Sequence, residues 1–556
     1  MWYTFTAEDT LLGGIKMVRG DIKKINLSIS SFERMITDNN LYVDKTKMIE
    51  NFINTSSTVQ LITRHRRLGK SLNMDMLKCF LTDKEDLRHL FKGLYIESSP
   101  EWSKVNSAPV FYFDFKSLHP DTYKSDVYYM VCDYIDIYCN EDNLSRAAKK
   151  YLNSDNYNDP KGLLYLTESV YRATGKRSYL LIDEYDKLLM ENYNTDRYEE
   201  LRAFETALLS AGLKGNQYLE KALLTGVMRI SHESMLSGLN NIKTYDVFSD
   251  NVYTNDYGLT EDEMKCLSNM ASFDTDKVRN WYNGVRISGY AIYNTYSVMS
   301  YLECTNYECY WGKSGTLDMI INLLNDQRKL IFTKLLNDET IEVEIDSRIS
   351  LKRLIAENGN EAFFSLLVQS GYLALNEYNA VKGTALVSIP NRELMIVWKN
   401  FILSNLFNSV TEIRTLFDHS NNLDLFSKDI EYFLTDRLSY HDLATHKNEN
   451  TGKVHERIYH VFLLGILSAY ENIHFRHAQS NRESGDGRYD VLLERPEANY
   501  IFEVKPCTPD EDLESQATKA LSQIETKRYG ADLDKNKHLI KIGVAVCGKL
   551  CRVKCA

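Results

Sequence analysis

Between about residue 30 and residue 235, short apolar runs alternate with longer amphipathic segments, and this alternation limits the fold more than any other feature of the chain. The runs are VQLIT (59–63), PVFYFDF (109–115), SYLLIDEY (178–185) and KALLTGV (221–227). Each is the length of a strand, and apolarity that continues along the run, instead of alternating, marks a strand covered on both faces. Strands separated by helices predict a parallel α/β sheet between two helical layers.

The first run leads into Arg64-His65-Arg66-Arg67-Leu68-Gly69-Lys70-Ser71 and then into the helical stretch SLNMDMLKCFL. A phosphate-binding loop needs this strand, loop, helix order, because backbone N–H groups and a helix N-terminus then converge on phosphate oxygens. In that reading Lys70 neutralises the β/γ-phosphates and Ser71 ligates Mg²⁺. The general pattern is GxxxxGK[ST]; Arg64 stands at its first glycine, so a basic turn capped by Gly69 is the competing reading. A second element favours the phosphate loop. SYLLIDEY is an apolar strand ending in Asp183-Glu184, and acids at the carboxyl end of a buried parallel strand sit where ligands bind. Asp183 would hold Mg²⁺ and Glu184 would orient or deprotonate a water, the alternative being a helix N-cap. The third run ends in Thr225-Gly226 with Arg229 just beyond, either a sensor of the terminal phosphate with a charge-stabilising arginine or a simple strand-ending turn.

From about residue 452 the pattern changes: a helix (VHERIYHVFLLGILSAY), strands at YDVLLER and NYIFEVK, a helix over 511–529 and a strand at LIKIGVAVCG predict a small α/β/α unit. Side chains alternate across a strand, so Glu503 and Lys505 share one face while Phe502 and Val504 take the other. Asp490, 13 residues upstream, can bring its carboxylate to the same point. Asp490 and Glu503 suit a hard cation such as Mg²⁺ or Mn²⁺, and Lys505 would position the attacking water and stabilise charge on phosphorus. A surface salt bridge between Glu503 and Lys505 is the plainer alternative.

At 556 residues the chain exceeds one hydrophobic core. Boundaries are expected near 1–30 (an extension), 31–260 (the sheet domain), 261–445 (a mainly helical lid and connector, with SLLVQSGYLAL at 365–375 and ELMIVWKNFILSNLF at 393–407) and 446–556. A net charge of −11 excludes a nonspecific polycation, so nucleic-acid contact would need a local basic patch. Ten scattered cysteines without paired CxxC spacing fit a reducing cytoplasm. Cys547, Cys551 and Cys555 would share a side if that segment were helical, but no histidine or fourth thiol stands beside them. Neither a signal peptide nor a run of roughly 18 apolar residues is present, so no membrane is expected.

FERMITDNNLYVDKTKMI, LITRHRRLGKSLNMDML, LLIDEYDKLL, LLTGVMRIS, WYNGV (281–285), YNTYSV (293–298) and YWGKSG (310–315) together resemble the AAA-ATPase-like family that is usually fused to a C-terminal PD-(D/E)XK nuclease-like domain. The resemblance runs from about residue 25 to 550. It implies an AAA-like P-loop sheet followed by a restriction-endonuclease-like domain, with ATP, Mg²⁺ and nucleic acid (DNA or RNA) as partners, and a homo-oligomer, since AAA relatives often act as rings. Such families commonly show RPRRFGKS in the loop, so Arg64 is expected, whereas His65 and Leu68 depart from the proline and phenylalanine there. The nucleotide-contacting set is then Arg67, Gly69, Lys70, Ser71, Asp183, Thr225 and Arg229, with Glu184 catalytic. In the nuclease-like part the resemblance adds Glu456 as a further acid on the preceding helix and Gln523 from QIETKRY on the following one. The expected activity is ATP binding and hydrolysis coupled to metal-dependent cleavage of nucleic acid; a switch with an inactive nuclease-like domain and an NTPase acting on proteins are the alternatives.

Overall fold

All four apolar runs fold as strands. In the computed structural model, which describes most of residues 11–230, 241–311, 320–398, 417–437 and 478–556, they are β1 (Val59–Thr63), β2 (Val110–Asp114), β3 (Ser178–Asp183) and β4 (Leu219–Gly226). A fifth, β5 (Ile242–Tyr245), completes a parallel sheet in the order β2-β3-β4-β1-β5. Every residue of β1 and β3 is buried, as strands covered on both faces must be. Helix α1 (Lys70–Leu81) follows β1, α2 (Tyr123–Tyr138) and α3 (Gly162–Thr174) cross from β2 to β3, and α4 (Tyr198–Leu213) crosses from β3 to β4. Because the chain leaves central β1 for edge strand β2 and then fills inward, the end of β1 lies beside β4 where connections diverge, the place at which open parallel sheets bind ligands. The register levels the carboxyl ends: Thr63 lies beside Gly226, Ile182 beside Leu224, and Asp114 beside Asp183.

The same compact unit, Met1–Lys313 with Thr340–Glu393, continues through α5 (Glu261–Ala271), α6 (Thr275–Tyr282), the hairpin β6 (Asn283–Ile287) and β7 (Tyr290–Tyr293), and α7 (Thr295–Cys304). Each of these helices starts on a side-chain cap, Thr260, Asp274 and Asn294 in turn, which satisfies an otherwise orphaned N–H. Their apolar faces meet over Leu259, Leu267, Val278, Tyr293 and Val298. Strands also enter the stretch expected to be helical: β8 (Ile341–Glu344), β9 (Ala374–Asn379) and β10 (Thr384–Ser388) form an antiparallel sheet in the order β8-β10-β9, beside α8 (Asn360–Gln369). SLLVQSGYLAL is therefore not one helix. It stops at Gln369, turns through Gly371 at φ +82°, and re-enters as a strand at Ala374.

The second unit comprises Ser314–Glu339 and Leu394–Ala556. In it α9 (Leu423–Arg437) precedes a sheet of β11 (Ala478–Ser480), β12 (Val491–Glu494), β13 (Ala498–Pro506), β14 (His538–Cys547) and β15 (Leu550–Cys555), in that order. Only β13 and β14 are parallel to each other, and α10 (Leu513–Thr526) makes the crossover between them. Ile501 packs with Ile524 of α10, while its neighbour Tyr500 meets Phe417 and Phe426, so alternate residues of β13 serve two covered faces. Cys547, Cys551 and Cys555 lie on the β14–β15 hairpin and not on a helix. Burial raises both the Cys551 and Cys555 thiols, the latter to about 12, as an apolar setting does. The expected helix VHERIYHVFLLGILSAY, and Glu456 with it, lies outside the described residues. Among the described residues no helix is long and apolar enough to cross a membrane.

Candidate functional site

The loop after β1 closes on itself. Gly69 enters α1 at φ +84°, a conformation that a side chain disfavours. Lys70, the first residue of the helix, is buried, and its ammonium donates to the carbonyls of Arg64 at 2.8 Å and His65 at 3.1 Å. Arg64 faces away from this loop. Its guanidinium is wholly buried, donates to the carbonyls of Thr63 at 2.8 Å and Tyr245 at 3.1 Å, and pairs with the Asp250 carboxylate. The residue that breaks the glycine pattern is thus an anchor beneath the loop. His65 stacks on Trp311 at 5.7 Å, and burial, with the Lys70 charge adding to it, lowers the imidazole to about 3. Leu68 is buried, and its carbonyl accepts from Gly258 N–H at 3.1 Å. Both departures from the family pattern act in packing.

Arg67, at φ +69°, turns aside: it donates to Tyr310 O at 2.6 Å and lies 4.2 Å over the Tyr296 ring. The Tyr310 and Trp311 amides both donate to Glu393 Oε1 at 2.7 Å, and Ser297 donates to Glu393 Oε2 at 2.9 Å. Two successive motifs, YNTYSV and YWGKSG, are therefore tied together beside the loop by Glu393, a residue distant from both in sequence. Ser71 follows in the first turn of α1, partly buried.

The acids stand at the end of β3, with β4 between it and the loop strand β1. Asp183 is buried; its Oδ1 accepts from the Thr225 hydroxyl and from Glu184 N–H at 3.0 Å, and its Oδ2 accepts from Tyr112 at 3.4 Å. Thr225 stands on β4, between β1 and β3, and so ties the second acidic strand to the loop strand. Glu184 leaves β3 at φ +51°; such a conformation costs a non-glycine residue about 1–3 kcal/mol and concentrates at functional sites. Burial pushes the Lys70 ammonium down, and Glu184, Asp183 and Asp186, in that order, pull it back up. Asp186 was not among the sequence candidates, although IDEYD carries it as a third acid. Its Oδ2 accepts from the Val227 and Met228 amides, both at 2.8 Å, and burial raises it to about 6. Gly226 permits that approach, since a Cβ there would lie 2.7 Å from Asp186 Oδ1. Arg229 donates its backbone N–H to Gln369 Oε1 at 3.1 Å, and its Nε is buried without a hydrogen-bond partner. No contact among the described residues joins it to Lys70 or Asp183. A lysine at a helix N-terminus and acids at the end of a nearby strand of the same sheet suit a magnesium nucleotide, with acids for the cation and Lys70 and backbone amides for the phosphates.

In the second unit Asp490 is buried and its Oδ2 accepts from Val504 N–H at 2.7 Å. Burial raises its carboxyl to about 6, against the pull of the Val504 amide and the Lys505 charge. Glu503 and Lys505 share the α10 face of β13, and Gln523 joins them: its Nε2 donates to Glu503 Oε1, and its Oε1 accepts from Lys505 Nζ at 2.7 Å. Gln523 thereby links Glu503 and Lys505 in a three-residue chain across strand and helix. Two buried carboxylates are oxygen donors suited to a hard divalent ion. Among the described residues no group of three or more His, Cys, Asp or Glu side chains stands ready to hold a metal.

Comparison with known proteins gives two family matches. Residues 26–236 match the family described as "Predicted AAA-ATPase", and residues 454–555 match the PD-(D/E)XK nuclease superfamily. A curated relative from Azotobacter chroococcum mcd 1, "Uncharacterized protein in vnfD 5'region", is 28% identical over 364 residues, which are 65% of this chain and 65% of the relative. Among solved structures, "Structure of Drosophila ORC bound to AT-rich DNA and Cdc6" aligns over 67% of this chain and 91% of that one, at 10% identity and a TM-score of 0.16. The chain thus carries an AAA-ATPase-like domain of the predicted AAA-ATPase family and, at its C-terminus, a domain of the PD-(D/E)XK nuclease superfamily.

Proposed function

We propose that the protein binds and hydrolyses ATP at the β1–α1 loop and uses the Asp490–Glu503–Lys505 site for Mg²⁺-dependent cleavage of nucleic acid. The observation that carries the first half is that the Lys70 loop and the Asp183–Glu184 turn, more than 110 residues apart in sequence, leave strands of one parallel sheet at the same carboxyl edge, where the Thr225 hydroxyl of the intervening strand bonds Asp183. Lys70 holds the phosphates, Asp183 and Ser71 hold the cation, and Glu184 orients the attacking water. The bound Mg²⁺ would supply neutralisation of phosphate charge. In the second half, Asp490 and Glu503 hold a divalent ion and Lys505, fixed by Gln523, steadies charge on the scissile phosphate.

Calorimetric titration with ATP and steady-state phosphate release test the nucleotide site. Lys70→Ala is expected to abolish binding; Asp183→Asn is expected to keep binding within a few-fold and to lower hydrolysis about 100-fold or more, the scale of one lost electrostatic contact in a transition state. Equal ATP affinity of wild type and Lys70→Ala refutes the assignment.

A further inference from the structure

We propose that Arg66 is a phosphate ligand, a second cation that takes the polyphosphate tail of a nucleotide beside Lys70; this rests on reading the β1–α1 loop as a nucleotide site. The loop holds three arginines, and the fold uses them differently. Arg64 is committed below the loop to Asp250 and backbone carbonyls. Arg67 is committed sideways to Tyr310 O and the Tyr296 ring. Arg66, partly exposed between them, is bonded through its backbone carbonyl to His65 Nδ1 at 3.4 Å, while its side chain makes no hydrogen bond or ion pair among the described residues.

Its position is nonetheless not neutral. Arg66 lies four residues before Lys70, directly after Arg64 and His65, whose carbonyls the Lys70 ammonium binds to close the loop. The first turn of the 12-residue helix α1 adds unsatisfied N–H groups and the positive end of the helix dipole. A guanidinium without a partner, in a loop that also carries an ammonium and leads into a helix N-terminus, gains nothing from these positive neighbours; a bound anion reverses the sign of each of these interactions. Arginine adds a planar pair of donors that matches two phosphate oxygens, which a lone ammonium does not. None of the acids after β3, Asp183, Glu184 or Asp186, makes an ion pair with Arg66 among the described residues.

The test uses the full-length protein. ATP and inorganic triphosphate are titrated calorimetrically into wild type, Arg66→Ala and Arg66→Lys, and the ligand-free melting temperature of each is recorded. Arg66→Ala is expected to bind both ligands about tenfold or more weakly, the size of one charge-assisted contact, at an unchanged ligand-free melting temperature, with Arg66→Lys recovering part of the loss. Wild-type affinity in Arg66→Ala overturns the proposal and leaves the nucleotide reading standing. Weakened binding that comes with a lowered ligand-free melting temperature overturns it in favour of a structural role. A wild type that binds neither ligand removes the nucleotide reading and the proposal together.

Discussion

At residue 64 a buried ion pair occupies the place where a phosphate loop ordinarily has glycine. Glycine serves there by leaving space; Arg64 instead carries its side chain out of the loop and fastens it to Asp250 and to the carbonyls of Thr63 and Tyr245. Breaking such a pair strands a buried charge, so Asp250→Ala should cost about 3–5 kcal/mol in denaturant unfolding, and a loss below about 1 kcal/mol would contradict the anchoring role. Asp186 offers a different test. Its carboxyl is raised by burial to about 6, above the ordinary aspartate value, so the folded state holds the extra proton between about pH 4 and pH 6. Its stabilising contribution is therefore complete at low pH and is lost as pH rises through about 6, a change of up to about 3 kcal/mol. Asp186→Asn should flatten the decline in stability between pH 4 and pH 6, although Asp256, also near 6 by burial, keeps part of it. An unchanged slope would show that Asp186 does not titrate in that window.

At the scale of elements, the strands were legible because apolar runs bounded by polar segments have one cheap solution. VQLIT is β1 residue for residue. SYLLIDEY runs as strand only to Asp183, because Glu184 turns to positive φ and aims the chain at the loop; hydrophobicity carries no sign of that turn. Helix and strand were confused where a short apolar segment fits both periods, as at SLLVQSGYLAL, where Gly371 was the missed punctuation, and at Cys547, Cys551 and Cys555, where a hairpin turn falls after the first cysteine and leaves the other two on the following strand. The pairing of Asp250 with Arg64 and of Glu393 with the 310–311 turn was not legible, since nothing local marks a partner far along the chain. The β4 end carries its own prediction. A methyl group at residue 226 would lie 2.7 Å from the Asp186 carboxylate and 2.8 Å from the Tyr185 ring, so Gly226→Ala should destabilise by about 1–3 kcal/mol and slow ATP hydrolysis by moving the Thr225–Asp183 contact. Unaltered unfolding and turnover in that variant would mean that the turn has room to spare.

At the scale of the molecule, one chain builds two sites of different chemistry on two sheets. The first gathers its groups at the carboxyl ends of parallel strands, and the second lays an acid, an acid and a lysine against one helix carrying Gln523. The change of pattern near residue 452 was visible in sequence. The passage of the chain from the first unit to Ser314–Glu339 of the second, back to Thr340–Glu393 and out again was not, because composition does not change at those crossings. The D…ExK spacing was readable, and so was Gln523, but only through resemblance; its bridging of Glu503 and Lys505 emerges from the fold. The most direct test of the central claim is cleavage of plasmid, linear DNA and RNA by wild type and Asp490→Ala, each with Mg²⁺ or EDTA and with or without ATP. Cleavage by wild type in Mg²⁺, abolished by EDTA and by Asp490→Ala and altered by ATP, is the predicted result; cleavage that survives Asp490→Ala, or none from wild type on any substrate, would contradict it.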